Sequence, residues 1–430
     1  MAKRTKSNDD EYCSFCYKSS QEVERLLAGP AGVNICNECI QVCHDIMTSK
    51  DGEIGNPAAR SKKTKYTLIP PQRIHERLNE YVIGHDYTKK VLSVAVYNHY
   101  LRLQHNLSSN KDVELEKSNI LLLGDTGTGK TLLAKTLARI VDVPFAVADA
   151  TTLTEAGYVG EDVENILLKL IQAADGDIAR AETGIVFIDE IDKIARRSEN
   201  RSITRDVSGE GVQQALLKIL EGTISSVPPQ GGRKHPEQQN LKIDTTNILF
   251  ICGGAFDGLG ELIRRRVGTN QIGFSKKSDQ RHEDLGYYLK LVEPDDLIKF
   301  GMIPEITGRI PVVGVLDKLE KSSFLRILQE PKNSITRQYI KQYELMGLKL
   351  TFESGFLNAI VEEAYPKALG VRALRSIMEK YITPLTYLLA SVNTTKRGSK
   401  LVIDESLIKD GAERFAERVI GKAESLGEVS

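Results

Sequence analysis

The segment Gly124-Asp-Thr-Gly-Thr-Gly129-Lys130-Thr131 follows an apolar run, Asn119-Ile-Leu-Leu-Leu123, and precedes a helical pattern, Leu132-Leu-Ala-Lys-Thr-Leu-Ala-Arg139. Its G-x-x-x-x-G-K-T spacing is that of a phosphate-binding loop. The glycines let the backbone turn its N–H groups toward phosphates, and a helix N-terminus stands behind them. Asp125, Thr126, Gly127, Thr128, Gly129, Lys130, Thr131 and Leu132 are therefore expected to cradle the phosphates of a nucleotide. Lys130 would reach the β and γ phosphates, and the Thr131 hydroxyl would bind Mg²⁺. Downstream, Ile185-Val-Phe-Ile188 is a short apolar run with no polar face, as expected of a parallel strand covered on both sides. It ends in Asp189-Glu190. Asp189 is suited to hold Mg²⁺ through water, and Glu190 to orient and polarise the attacking water. Either carboxylate taken alone would read as a helix-cap charge; a strand ending in both, downstream of a phosphate loop, favours catalysis.

A second constellation lies near the N-terminus. Cys13-x-x-Cys16 and Cys36-x-x-Cys39 are separated by residues 17–35 and fit the four-cysteine zinc pattern. Each pair can form a tight knuckle, giving tetrahedral thiolate coordination with no open position, so Zn²⁺ here would be structural. The segment is too short for a large apolar core, and metal binding would supply much of its folding energy. Cys43 and His44 lie nearby but read as packing or solvent-facing residues, because two C-x-x-C pairs already fill a tetrahedron. Cys252, within an apolar strand pattern, reads as a buried thiol.

The elements that position these residues follow from the rest of the chain. Its 430 residues suggest roughly three domains. Lys and Arg (58) balance Asp and Glu (58), so nothing global argues for a nucleic-acid or membrane partner. The N-terminus has no apolar export segment and no run is long enough to cross a bilayer, which, with cysteines placed as ligands, predicts a cytoplasmic protein. The expected organisation is a zinc-binding module over 1–49, a linker over 50–65, a large ATPase domain over 66–316 and a small lid over 317–430. Strands are expected near Ile120–Leu123, Phe145–Ala148, Ile185–Ile188 and Asn247–Ile251, alternating with helices, which makes a doubly wound α/β domain with a mainly parallel sheet. Two polar stretches, Ser225–Leu241 and Gly253–Leu285, read as long functional loops. Amphipathic stretches at Phe324–Tyr343, Ser354–Tyr365 and Val371–Leu389 make the small domain mostly helical, and the tail from Glu424 reads as frayed. There are no internal repeats.

Together these motifs resemble the ClpX family of AAA+ unfoldases, rings that feed a ClpP-type peptidase, over essentially the whole chain. The resemblance implies an AAA+ phosphate-loop fold, a homo-hexamer, and ATP-driven unfolding and translocation of unfolded or tagged proteins, delivered directly or by adaptors. Gly157-Tyr158-Val159-Gly160 is similar to the pore loop whose aromatic residue grips the substrate. Tyr presents a large apolar area with few rotors, and its glycine neighbours let the loop move. Arg205–Gly211 resembles a second channel loop, and Arg233, Lys234 and His235 a third, at the entrance. Ile272, Gly273 and Phe274 resemble the tripeptide that docks on the peptidase; an apolar anchor on a polar loop is otherwise a liability. Arg309 matches the arginine finger supplied to a neighbour's active site, and Arg372 the sensor that reports nucleotide state from within the same chain. Val82 and Ile83, in Tyr81-Val-Ile-Gly84, match the strip beside the adenine.

Four positions depart from the family pattern. Asp125 replaces a common Pro and puts a negative charge near the phosphates, tolerable if its side chain faces solvent. His85 stands where Gln is usual, and Val371 and Ala373 where Ala and Gly are. No residue is assigned as sensor 1. A nucleic-acid-remodelling motor, using the zinc ribbon and Lys62-Lys63-Thr64-Lys65, is the competing reading; zero net charge and Tyr158 between glycines argue against it. A non-catalytic zinc adaptor is disfavoured by Lys130, Asp189 and Glu190, all present.

Overall fold

A computed structural model of the chain describes residues 12–20, 22–48, 68–106, 113–154, 161–195, 209–228, 240–269, 285–367, 370–391 and 400–425. It divides into two compact units, residues 1–64 and 65–430. In the first, β1 (Leu26–Ala28) and β2 (Asn34–Cys36) form an antiparallel pair leading into α1 (Asn37–Thr48). Cys13 and Cys36 are its buried residues among the side chains described, so the centre of this unit is sulfur rather than hydrocarbon.

The second unit opens with α2 (Pro71–Asn79) and α3 (Asp86–Asn106), two helices ahead of the sheet that the strand-first pattern did not anticipate. The sheet then builds from β3 (Ile120–Leu123), α4 (Lys130–Val141) and β4 (Phe145–Asp149). A short parallel pair, β5 (Leu153–Thr154) and β6 (Glu161–Asp162), precedes α5 (Asn165–Ala173), α6 (Ile178–Ala181) and β7 (Ile185–Asp189). Next come α7 (Glu210–Glu221) and the antiparallel β8 (Ile224–Val227) and β9 (Leu241–Asp244), then β10 (Leu249–Gly254) and α8 (Leu259–Thr269). Finally α9 (Leu285–Leu289), α10 (Pro294–Phe300) and α11 (Pro304–Arg309) lead to β11 (Val312–Val315).

The sheet order is β11-β3-β10-β7-β4, and all four pairings are parallel. Its three inner strands are fully buried over their apolar runs because each alternates between two cores. Ile120, Leu122, Ile185, Phe187, Leu249 and Ile251 face the core shared with α2, α3 and α4. Leu121, Leu123, Val186, Ile188, Phe250 and Cys252 face the opposite core, with α5, α7 and α8. Period-2 strands without a polar face thus make a three-layer α/β body, and place the ends of β3, β10 and β7 side by side.

The part of this unit beyond β11 has its own apolar core. It comprises α12 (Lys321–Gln329), α13 (Ile335–Leu345), β12 (Lys349–Phe352), α14 (Ser354–Ala364), α15 (Arg372–Ser391), β13 (Lys400–Ile403) and α16 (Ser406–Ser425), the last broken at Gly411. β12 and β13 pair in parallel, a feature absent from the sequence reading.

Several expectations are corrected. The stretch 324–343 is two helices, because Pro331 cannot continue the first and Ser334 caps the second, accepting the Arg337 N–H at 3.3 Å. The fourth strand starts at Leu249, since Thr245–Asn247 is a 3₁₀ turn capped by Asp244. The supposed loop 253–285 contains α8, whose Leu259 and Ile263 are buried at helical spacing among charged residues that masked the period. The supposed loop 225–241 is flanked by the β8–β9 ladder. Residues 426–430, in the tail expected to fray, lie outside the described residues.

Candidate functional site

The phosphate loop leaves β3 at Gly124, whose φ of 150° and close packing leave no room for a side chain. A Cβ there would meet the Leu316 carbonyl oxygen at 2.7 Å. Gly129, at φ 102°, begins α4, and the helix N-terminus faces a cavity of about 320 Å³. Thr126, Gly127, Gly129, Lys130, Thr131 and Leu132 line this cavity together with Asp189, Glu190 and Arg372. Residues from three separated stretches thus line one cavity. Arg372 reaches it from the first turn of α15, so the helical part beyond β11 forms part of the wall.

Thr131 Oγ1 donates to Asp189 Oδ2 at 3.0 Å, placing the two Mg²⁺ candidates side by side, one in the first turn of α4 and the other at the end of β7. A hydroxyl and a carboxylate, both hard oxygen donors, fit a magnesium ion that also takes phosphate oxygens. Lys130 Nζ donates to the carbonyls of Gly124 at 2.5 Å and Asp125 at 3.0 Å. Burial pushes the Lys130 ammonium below its ordinary pKa, opposed by Asp189 and Asp192. Glu190 sits in the left-handed region at φ 56°, its N–H on Asp189 Oδ1 at 3.0 Å, and is exposed to the cavity.

Other expected residues lie elsewhere. Asp125 is exposed, which fits a side chain facing solvent, and is not among the cavity-lining residues. Thr128 turns its hydroxyl back onto the Asp125 carbonyl at 2.8 Å. Val82 and Ile83 are buried, 4% and 7% exposed, and do not line the cavity; Val82 packs in the core with Leu78, Leu92 and Leu316. Arg309 also lies outside it, paired with Glu221. Tyr158, Val159, Arg233, Lys234, His235, Ile272, Gly273 and Phe274 lie outside the described residues.

Sequence reasoning missed several contributors. Asp192, Lys193, Ala255, Asp257 and Val371 also line the cavity. Asp192 is buried, accepts the Ala255 N–H at 3.3 Å and pairs with Lys193 at 3.2 Å, tying the end of β10 to the Asp189-Glu190 turn. Its place two residues after Glu190 was the available signal. At the end of β10, a Cβ on Gly253 would meet Phe187 at 2.7 Å and one on Gly254 would meet Asp192 at 2.5 Å, so glycine lets both side chains pack directly against the β10 backbone. His85, the Gln substitute, is buried with Nε2 3.1 Å from the Thr128 carbonyl, and burial lowers its pKa, so it serves as a neutral link to the phosphate loop.

In the N-terminal unit the sulfurs of Cys13, Cys16, Cys36 and Cys39 all lie within 4.8 Å of one another. Cys13 and Cys39 approach to 3.8 Å, and Cys16 and Cys36 to 3.6 Å. Four soft donors at these separations fit a tetrahedral zinc ion. Burial opposes ionisation of Cys13, but backbone N–H groups of Cys16, Phe15 and Cys36 outweigh it and lower the thiol to about 6. Cys43 and His44 stand outside the cluster, half-buried and exposed. Cys252 is fully buried and its thiol is pushed up to about 12.

Comparison with known proteins covers the regions that carry both sites. The model of the ClpX C4-type zinc finger matches residues 11–49, that of the AAA domain (Cdc48 subfamily) residues 115–313, and that of the C-terminal, D2-small domain of ClpB protein residues 319–403. The chain is similar to the ATP-dependent Clp protease ATP-binding subunit ClpX of Treponema denticola, with 53% identity over 403 residues covering 94% of this chain and 95% of that protein.

Proposed function

Since this chain belongs to the ClpX family of AAA+ ATPases, we propose that it hydrolyses ATP to unfold proteins and translocate them into a ClpP-type peptidase, which performs the proteolysis. The observation that carries the chemistry is the convergence of Lys130, Thr131, Asp189, Glu190 and Arg372 on one cavity. Bound there, Mg²⁺ held by Thr131 and Asp189 would offset phosphate charge. Glu190 orients the attacking water, and Lys130 and Arg372 neutralise charge on the phosphates. Arg309 does the same for the adjacent copy, which requires a ring; we take that ring to be a homo-hexamer. The four cysteines hold structural Zn²⁺.

Substrate grip by Tyr158 and Val159, attraction of charged chain ends by Arg233, Lys234 and His235, and peptidase docking through Ile272, Gly273 and Phe274 belong to the same reading, with tagged or adaptor-delivered proteins as substrates. Among the described residues no helix is long and apolar enough to cross a membrane. We place the protein in the cytoplasm, where thiols stay reduced for zinc. The nucleic-acid motor is not favoured.

The test is ATP-dependent degradation of a tagged, stably folded protein with and without added peptidase. Degradation should need both components. Tyr158→Ala should leave ATP hydrolysis running while unfolding fails, and Phe274→Ala should leave unfolding intact while degradation stops. Stimulation of the ATPase by DNA but not by unfolded protein would overturn the reading.

A further inference from the structure

Arg309 is anchored at the end of β3 opposite the phosphate loop. Asn119, 1% exposed, immediately precedes that strand. Its Nδ2 donates to the Arg309 carbonyl at 2.9 Å and to the Leu220 carbonyl at 3.4 Å, and its Oδ1 accepts the Phe250 N–H at 3.4 Å. One buried amide therefore ties the last turns of α11 and α7 to the central sheet, fixing the Arg309 backbone.

Glu221, the last residue of α7, holds the side chain. Its Oε1 accepts from Arg309 Nε at 3.1 Å and lies 3.0 Å from Nη2. Both contacts use one edge of the guanidinium. Of its five N–H donors, the two on Nη1 and one on Nη2 remain unused by Glu221. With the Arg309 side chain 50% exposed, they are accessible to a neighbour. A long, solvated arginine would otherwise sample many rotamers, whereas transition-state stabilisation depends on a donor already aimed.

We propose that Glu221 is a positioning residue for Arg309, holding the guanidinium by its inner edge so that its outer edge is presented to the γ-phosphate bound by the adjacent copy. This rests on the arginine-finger reading of Arg309. Because an exposed ion pair contributes little to stability, its loss should appear in turnover rather than in melting temperature.

The test is a double-mutant cycle on the full chain, read by steady-state ATP hydrolysis and thermal melting. Arg309→Ala should lower kcat by about 10³-fold. Glu221→Ala should lower it by about 3- to 10-fold with KM and melting temperature little changed, a fraction of the loss expected for a misplaced group. Glu221→Gln, which keeps one accepting oxygen, should recover most of the rate. Adding Glu221→Ala to Arg309→Ala should cost nothing more. An equal loss from Glu221→Ala in both backgrounds, or a Glu221→Ala rate at or above the parental one beside a crippled Arg309→Ala, would overturn the proposal. A parental rate for Arg309→Ala itself would instead remove the finger reading on which it stands.

Discussion

In the N-terminal unit four thiols face one another, every sulfur within 4.8 Å of the rest, and two of those cysteines are the unit's buried residues among the side chains described. Around the phosphate loop the donors instead line the wall of an open cavity of about 320 Å³, backed by two apolar cores. A closed donor set leaves no position for a reactant, so its metal acts on folding. An open set on a separately stabilised scaffold can exchange its ligand without unfolding, which turnover requires. The same chain thus uses one metal in place of a core and builds a core to present the site of another.

Removing chemistry from the open site should be the most drastic change with the least structural cost. Glu190→Gln keeps the side-chain shape, so nucleotide titration should show binding within a few-fold of parental while kcat falls by at least about 10². An unchanged rate would remove Glu190 from the water-positioning role. The closed site should respond in the opposite way. Cys13→Ser or Cys39→Ser should reduce bound zinc from about one per chain to none and abolish the fold of residues 12–48, seen by metal analysis and limited proteolysis. ATP hydrolysis should persist. Its collapse would break the independence of the two units.

Smaller changes sharpen the contrast within the open site. Gly124→Ala forces a Cβ to 2.7 Å from the Leu316 carbonyl at a φ of 150°, and should cost about 1–3 kcal/mol in thermal or denaturant unfolding. Asp125→Asn, one position on, should change nucleotide Kd by less than about two-fold, because that exposed charge is screened by water and salt. A large gain in affinity would mean that Asp125 faces the phosphates after all.

The zinc knuckles, the phosphate loop and the Asp189-Glu190 strand end were legible because each is local. Ligand spacing, glycine placement and an apolar run of strand length constrain a few consecutive residues, and neighbours in sequence must be neighbours in space. The alternation of such runs with helical stretches was likewise enough to expect a parallel α/β sheet. Where charged residues interrupted the apolar period, as in α8, or where glycine or lysine broke a four-residue apolar run, as in β11, β12 and β13, the local signal fell below recognition.

What tertiary structure alone decided was partnership across sequence. The sheet order puts β10 between β3 and β7, and only then does glycine at 253 and 254 acquire its reason, and Asp192 its partner at Ala255. Val82 and Ile83 carry the apolar character expected of an adenine strip and are buried without lining the phosphate-loop cavity, and hydrophobicity says that a residue is covered, not by what. Arg309 could be picked out by its motif, but Glu221 and Asn119, 88 and 190 residues away, hold it only because the fold brings three chain segments to one end of β3. Residue type and spacing fix the chemistry available; folding, which sums many weak long-range contacts, fixes which groups share a site.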